Sequence, residues 1–190
     1  MAEDAADGVP DGGGSRVLEV VANIGDPSPR EALDAWLENV WTDGEGLPAF
    51  SVPLRRDRDG LVTDRLLAPS VVCERLLQVD RLSCSVVYEV SNPGLLTYQV
   101  TGHRASVGFS RNGDGDLEMR WRVELTPMAG WDAPVRAFTE LSVTTVARAF
   151  QARQPRIERV GIFQLRDYSA EQDERLSYGV PVGFRCRWIR

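Results

Sequence analysis

The chain contains one histidine, His103, in the stretch TYQVTGHRASVGF that runs from Thr97 to Phe109. An imidazole can act as a general base that removes a proton from an enolisable substrate, and a neighbouring cation or phenol can stabilise the resulting enolate. His103, Arg104 and Tyr98 are therefore the catalytic candidates. The alternative is a structural histidine satisfied within a packed core, since a single titratable group does not by itself define a site.

The direction of the His103 side chain follows from the apolar pattern around it. The pattern changes parity within the stretch: Leu96, Tyr98 and Val100 precede the change, and Ala105, Val107 and Phe109 follow it. A β-bulge near Thr101 and Gly102 would keep both halves facing the core, and it would turn His103 inward. The alternative is that His103 itself is the bulged residue.

Other inward positions of the predicted strands and of a long predicted helix are candidates for ligand contact. They combine aromatic and aliphatic surface with a few polar groups, which suits an oxygenated ring system. The predicted ligand-binding residues are Val86, Tyr88, Val100, Met119, Trp121, Val135, Phe138, Ser142 and Thr145. Core packing is the alternative role, above all for Met119 and Trp121, because buried aromatic and thioether side chains fill most cores.

Composition excludes several classes of chemistry. The formal net charge is -6, which argues against a protein that neutralises nucleic-acid phosphates or anionic lipid. All 22 basic residues are arginine, so no lysine is present to form a Schiff base. Nucleotide-binding and serine-hydrolase motifs are absent from the sequence, and no cofactor is predicted. The basic end GFRCRWIR is interpreted as an edge strand with water-facing arginines, not as a nucleic-acid site.

No metal site is predicted. Cys73, Cys84 and Cys186 are odd in number and lack zinc-ligand spacing, which favours reduced thiols in a cytoplasmic protein. The run from Asn112 to Asp116 begins like a calcium loop but lacks the required later glycine and glutamate, and it is interpreted as a turn. The acidic, Gly-rich residues 1–15 do not resemble a secretory signal and predict a disordered tail. No apolar run is long enough to predict a membrane span.

The remaining patterns predict an α+β protein. A strand is expected over Val17–Ile24, followed by a helix that begins after Ser28 with a capping box. A short second helical turn is expected over Leu47–Phe50. Strands then alternate with turns from Leu61 to Met128, which predicts an antiparallel meander, and apolar residues at helical spacing predict a long amphipathic helix over Gly130–Arg153.

This order of elements resembles the START/SRPBCC helix-grip fold, and particularly its polyketide cyclase/dehydrase branch. The resemblance is carried by CERLLQVD, SVVYEV, the GDG turn, the W-R-V strand and the long helix GWDAPVRAFTELSVTTVARAF, and it covers residues 16–153. It implies a curved antiparallel sheet wrapped around the long C-terminal-side helix, with an apolar cavity between them. The lone histidine does not match the two-histidine iron site of related oxygenase domains, so a dioxygenase is excluded.

Two functions remain open on this resemblance. One is non-redox cyclisation or dehydration of a polyketide-like substrate, and the other is a carrier that binds a hydrophobic or lipid-like molecule unchanged. A protein-interaction module is a weaker third. Both leading functions require the same cavity, with His103 within reach of it.

Residues 154–190 lie beyond the resemblance and form a predicted β-like C-terminal extension. Strands are expected within RVGIFQL and GVPVGFRCRWI. They would pair with an exposed sheet edge and close the cavity mouth, or cross to a second subunit and build a homodimer.

Overall fold

The computed structural model describes residues 14–44, 50–68, 70–94, 98–153 and 183–189. The elements in chain order are β1 (Arg16–Asn23), α1 (Pro29–Ala35), a π-helical segment (Trp36–Thr42), β2 (Phe50–Arg56), β3 (Val62–Ala68), β4 (Val72–Asp80), β5 (Ser85–Val90), β6 (Val100–Arg111), β7 (Leu117–Pro127), α2 (Asp132–Arg153) and β8 (Phe184–Ile189). Most of the predicted tail (residues 1–13) and the predicted strand RVGIFQL lie outside the described residues.

The strands form one curved antiparallel sheet in the order β2-β3-β4-β5-β6-β7-β1-β8. Strands β2 to β7 follow one another as the predicted meander, and β1 then pairs with β7. The long helix α2 packs against the inner face of this sheet, where Phe150 meets Phe109 with ring centroids 6.0 Å apart. This arrangement confirms the predicted α+β helix-grip fold.

The alternation of buried apolar residues with exposed charged residues along a strand shows which face of the sheet is the inner one. In β7 the buried positions are Leu117, Met119, Trp121, Val123, Leu125 and Pro127, while Arg120, Arg122 and Glu124 are exposed. Burial of one face against α2 removes apolar surface from water, and the charged face keeps its hydration. The predicted dry and wet faces of this strand are confirmed.

The predicted bulge in β6 is also confirmed. Val100 pairs with Pro127 and Gly102 with Thr126, so Thr101 is the extra residue on the β6 side. His103 then pairs regularly with Leu125, which makes the alternative of a bulge at His103 itself wrong. Because one residue is inserted, the side chains on both sides of the bulge face the core.

The first helix is capped as the sequence predicts. The Ser28 hydroxyl accepts from the Glu31 backbone N–H at 3.2 Å, and the Glu31 carboxylate accepts from the Ser28 N–H at 2.7 Å. The helix continues from α1 into the π-helical segment and ends at Thr42, where the Asp43 N–H bonds to the Glu38 carbonyl at 3.0 Å.

The expected helical turn over Leu47–Phe50 is only partly described. Residues 47–49 lie outside the described part, and Phe50 begins β2, so at that position the prediction is wrong. Strand β2 contains Pro53 and lies at the outer edge of the sheet. A proline is tolerated there because an edge strand has backbone N–H groups that need no strand partner.

At the opposite edge, β8 pairs with β1 along its whole length, from Ala22 with Phe184 to Val17 with Ile189. The predicted pairing with an exposed sheet edge is therefore realised within one chain for these residues. No helix of the described part is long and apolar enough to cross a membrane.

Candidate functional site

His103 lies on the inner face of the sheet between two tyrosines. Its ring centroid is 6.1 Å from that of Tyr88 on β5 and 5.8 Å from that of Tyr98, which precedes β6. The Nδ1 atom is buried and has no hydrogen-bond partner among the described residues. Burial lowers the pKa of the imidazole, and the carboxylate of Glu74 offsets this only in part. The ring is therefore neutral at pH 7.

The hydroxyl of Tyr98 is committed to the long helix. Tyr98 Oη and Thr139 Oγ1 are 3.0 Å apart, and Thr139 Oγ1 also lies 2.8 Å from the Val135 carbonyl oxygen, to which it donates. Because a threonine hydroxyl has one proton, Tyr98 is the donor in its bond with Thr139. Burial raises the pKa of Tyr98, so the phenol stays protonated.

The hydroxyl of Tyr88 is used differently. It accepts a hydrogen bond from Trp121 Nε1 at 3.1 Å, and no acceptor among the described residues takes the phenol proton of Tyr88. Burial raises the pKa of Tyr88 well above its ordinary value, and the nearby Glu74 carboxylate adds to this effect. Of the two tyrosines beside His103, Tyr88 is therefore the one with an uncommitted proton.

The π-helical segment contributes two tryptophans beneath Tyr88. Trp41 lies 5.2 Å from the Tyr88 ring and Trp36 lies 6.3 Å from it, both measured between centroids. Trp41 Nε1 donates to the Val62 carbonyl at 2.7 Å, which fixes the helix to β3. Trp36 also makes an edge contact with Trp121 at 5.6 Å. His103, Tyr98 and Phe138 of α2 extend the ring contacts of Tyr88. Together these rings form one continuous aromatic wall, which consists of Trp36, Trp41, Tyr88, Tyr98, His103, Trp121 and Phe138.

A buried ion pair lies next to this wall. Arg65 on β3 and Glu74 on β4 are directly paired residues, and Arg65 Nη2 lies 2.6 Å from a Glu74 carboxylate oxygen. The guanidinium also donates to the carbonyls of Val40 and Trp41, each at 2.7 Å, and it stacks over the Trp41 ring at 4.1 Å. The pair therefore ties the π-helical segment to the sheet.

The helix α2 faces the sheet with a buried stripe whose polar members are Thr139 and Gln151. Its buried residues are Val135, Thr139, Val143, Val146, Ala147, Phe150 and Gln151. Phe138 is half-exposed, and its ring centroid lies 5.6 Å from that of Tyr98. Of the two polar residues expected on this stripe, Ser142 is partly buried and Thr145 is exposed.

The structure brings most of the sequence-predicted residues to the inner face. Those that are buried there are Val86, Tyr88, Tyr98, Val100, Met119 and Trp121, and Val135 is buried on the helix α2 opposite them. Two predictions need correction. Arg104 is exposed and lies on the opposite face of β6 from His103, because successive residues of a strand alternate. Thr145 lies off the buried stripe of α2, where Thr139 is the residue that meets Tyr98.

The residues that sequence reasoning missed are Arg65, Glu74, Trp36, Trp41 and Thr139. Arg65 and Glu74 carried a usable signal, since they are opposite charges in consecutive predicted strands and Glu74 shares its strand parity with the apolar residues Val72 and Leu76. Thr139 carried another signal, since it follows Val135 by one helical turn and so lies on the same face of the helix.

The predicted cavity between sheet and α2 stays a prediction. A depression of about 260 Å³ lies elsewhere, beside β2, β3 and β4. It is open to solvent, and Arg55, Asp64 and Arg75 contribute to its lining. It contains none of the sequence-predicted site residues.

Comparison with solved structures places the fold. A START superfamily protein from Mycobacterium smegmatis superposes with a TM-score of 0.54 at 11% identity, over 74% of this chain and 97% of that one. Norcoclaurine synthase from Thalictrum flavum superposes with a TM-score of 0.53 at 14% identity, over 80% of this chain and 94% of that one. The fold is that of the START superfamily. No protein-family model and no curated protein sequence matches the chain.

A third match is a Bacillus cereus protein named XoxI, with a TM-score of 0.54 at 16% identity over 74% of this chain and 94% of that chain. At these identities the likeness concerns the START fold and not the residues of a site. The aromatic wall around His103 is therefore a property of this chain, to be interpreted from its own chemistry.

Proposed function

We propose that the protein binds a hydrophobic small molecule between the inner face of the sheet and α2. The observation that carries this proposal is the aromatic wall that runs from Tyr88 through His103 and Tyr98 to Phe138. Phe138 is half-exposed, so the wall leads from the interior toward solvent. Aromatic surface with a few convergent polar groups is typical of small-molecule sites.

A solved structure with the same fold gives further support to the proposed binding function. One structure of norcoclaurine synthase from Thalictrum flavum, with a TM-score of 0.53 at 15% identity over 73% of this chain and 85% of that one, is a complex with dopamine and hydroxybenzaldehyde. The START fold thus accommodates small aromatic molecules in that protein. The proposal extends the aromatic ring of these ligands, and not the amine of dopamine, to this chain.

Binding is tested by equilibrium dialysis with naphthalene as an apolar aromatic probe. We expect saturable binding to the unaltered protein and a loss of at least about tenfold in affinity for Phe138→Arg, since a charge would replace the ring that meets Tyr98. Leu141→Arg is the matched control, because Leu141 is an exposed residue of the same helix with no ring contact to Tyr98. Absence of saturable binding would overturn the proposal.

A catalytic use of the same site is the second candidate, namely non-redox cyclisation or dehydration of a polyketide-like substrate. A neutral His103 would remove a proton from carbon, and the free proton of Tyr88 would be donated to the enolate oxygen that develops. Tyr88 takes the role that the sequence pattern suggested for Arg104, which faces the other way. A carrier without chemistry is the alternative.

Proton abstraction is measured separately from binding. With the enolisable ketone 2-tetralone in deuterated buffer, catalysis predicts hydrogen–deuterium exchange at the α carbon above the buffer rate. His103→Gln should abolish this acceleration and leave dialysis affinity for naphthalene within about threefold, because only the basic nitrogen is lost. Binding without accelerated exchange would establish the carrier function instead.

A further inference from the structure

The described inner face carries no charge without a counter-ion. Arg65 and Glu74 neutralise each other at 2.6 Å, and the remaining bonds of Arg65 go to backbone carbonyls. The other buried carboxylate, Glu19, lies on the outer face of β1, where it pairs with Arg187 at 2.6 Å. His103 is neutral because burial lowers its pKa. A ligand at the aromatic wall therefore meets neutral groups.

This electrostatic balance discriminates between ligands. A carboxylate or ammonium group that entered the wall would lose its hydration and find no opposite charge to replace it. A neutral polar group loses less on transfer, and one hydrogen bond within the site offsets much of that loss. Loss of hydration therefore disfavours both signs of charge at the wall, and contact with the ring faces compensates a cation only in part.

His103 supplies the polar group that such a ligand would meet. Its Nδ1 atom is buried and without a partner among the described residues. The indole Nε1 of Trp36 and the Nε of Arg136 are also unpartnered there, but Arg136 is paired through Nη1 with Asp132 at 3.6 Å and lies over the Trp188 ring. Of these three residues, His103 is the one whose ring contacts both Tyr88 and Tyr98.

The chemistry of the imidazole also indicates which functional group of a ligand can form a hydrogen bond with Nδ1. In neutral histidine one ring nitrogen donates and the other accepts, so Nδ1 requires either an acceptor or a donor depending on the tautomer. A hydroxyl provides both and satisfies Nδ1 in either case. An ether or a ketone satisfies only the donating form.

We propose, on the basis of the binding function above, that the site selects uncharged aromatic molecules bearing a hydroxyl and that His103 is the residue that determines this selection. The hydroxyl exchanges a hydrogen bond with Nδ1, and the ring lies against Tyr88 and Tyr98. Carboxylates and amines of the same ring system are rejected by the absence of a counter-ion.

Four probes that share one ring system test the selection on the unaltered protein at pH 7: naphthalene, 2-naphthol, 2-naphthoate and 2-naphthylmethylammonium. Dissociation constants are measured by equilibrium dialysis. We expect 2-naphthol to bind about tenfold more tightly than naphthalene, and both charged probes to bind more weakly than naphthalene. This comparison needs no variant and so does not depend on how a variant folds.

The role of His103 is tested with His103→Phe, which keeps an aromatic ring and removes both nitrogens. The preference for 2-naphthol over naphthalene should fall to about twofold or less, while naphthalene affinity stays within about threefold. Arg104→Gln is the matched control, because Arg104 is the next residue on the opposite face of the same strand. The preference of Arg104→Gln for 2-naphthol over naphthalene should equal that of the unaltered protein.

The outcomes separate the two proposals. Binding of 2-naphthoate or 2-naphthylmethylammonium as tight as that of 2-naphthol would overturn the selection for neutral ligands and leave hydrophobic binding intact. A preference retained in His103→Phe would overturn the role of His103. Failure of all four probes to bind would overturn the binding function itself, and the selection with it.

Discussion

The pairing of Arg65 with Glu74 shows how single residues hold the aromatic wall in place. The Arg65 side chain is 2% exposed and that of Glu74 9% exposed, so both charges have lost most of their hydration. The guanidinium compensates by bonding to the carboxylate and to the Val40 and Trp41 carbonyls at the end of the π-helical segment. One side chain therefore neutralises a carboxylate and satisfies carbonyls that the helix end leaves unpaired.

Glu74→Gln should destabilise the protein by about 3–5 kcal/mol, because it leaves the Arg65 charge buried without a counter-ion. The double variant Arg65→Met, Glu74→Leu should be less destabilised than Glu74→Gln, since it removes both charges together. Urea denaturation followed by circular dichroism measures both. A double variant less stable than Glu74→Gln would show that the hydrogen bonds of Arg65, and not charge balance, dominate.

The residues around His103 also show what alternation along a strand can and cannot predict. The parity change at Thr101 and Gly102 is a local signal, and it suffices to predict that His103 turns inward. The same parity places Arg104 outward, so choosing it as a catalytic partner confused adjacency in sequence with adjacency in space. The hydrogen-bond directions of Tyr88 and Tyr98 could not be predicted, because they depend on partners at residues 121 and 139.

Among the elements, the bulged strand β6 brings Tyr98 and His103 to the same face of the sheet and so is required for the site. Thr101 is the residue without a regular partner, and removing it would put the two halves of the strand out of phase. Either the Tyr98–Val100 side or the His103–Phe109 side would then turn its apolar residues to water.

Deletion of Thr101 should therefore destabilise the protein by about 3 kcal/mol or more, as expected when an apolar face is displaced. Gly102→Ala is the control, since a Cβ at Gly102 meets nothing within 4 Å, and it should change stability by less than about 1 kcal/mol. Thermal and urea unfolding measure both variants. If the deletion lowered the stability no more than Gly102→Ala does, the strand would be able to shift its bulge without loss of free energy, which contradicts the prediction.

The contact between β8 and β1 makes the stability of the folded protein depend on pH. The Arg187 hydrogen bond is the largest cause that holds the pKa of Glu19 below its ordinary value of 4.5, and burial opposes it. A carboxyl with a lowered pKa contributes stability above its unfolded pKa and loses it as the pH falls through the folded pKa. The stability contributed by this pair should therefore disappear on acidification below the ordinary carboxyl pKa.

Arg187→Gln should reduce the stability difference between pH 7 and pH 3, because Glu19 then titrates closer to its ordinary pKa. Arg185→Gln is the control, since Arg185 lies on the same strand but contacts Glu118 and not Glu19. Urea midpoints at the two pH values give the comparison. An equal reduction in both variants would assign the effect to net charge.

Some elements were predictable and others were not. The capping box at Ser28 and the alternation of β7 predicted their elements because the signals are local. Strand β2 was missed because Pro53 weakens its pattern, and only its edge position makes that proline acceptable. The π-helical geometry of Trp36–Thr42 was not predicted, and the contacts of its tryptophans with Tyr88, Trp121 and the Val62 carbonyl are tertiary contacts that no local pattern contains.

On the scale of the whole molecule, strands from the two ends of the described chain pair with each other on one side of α2. Strand β8 lies on the free edge of β1, and its inner side chains reach the helix. Trp188 Nε1 donates to a Glu140 carboxylate oxygen at 2.8 Å, and Phe184 lies 5.0 Å beneath the Arg148 guanidinium. The extension therefore adds an eighth strand to the sheet and covers one side of the long helix.

This placement predicts the effect of ending the chain after Gly183. Truncation removes β8 and leaves the backbone groups of β1 as an open edge beside the buried residues Leu18 and Val20. An open, apolar edge strand pairs readily with another chain. The truncated protein should melt at a lower temperature and should form dimers or larger species, because β1 acquires in another molecule the partner that it has lost.

Size-exclusion chromatography with light scattering measures the mass, and calorimetry measures the melting temperature. The variant Arg185→Gln, Arg187→Gln is the control, because it removes charges of β8 and keeps its backbone pairing with β1. It should remain the same size as the unaltered protein. A truncated chain with the aggregation state and melting temperature of the unaltered protein would show that β8 contributes nothing to the fold.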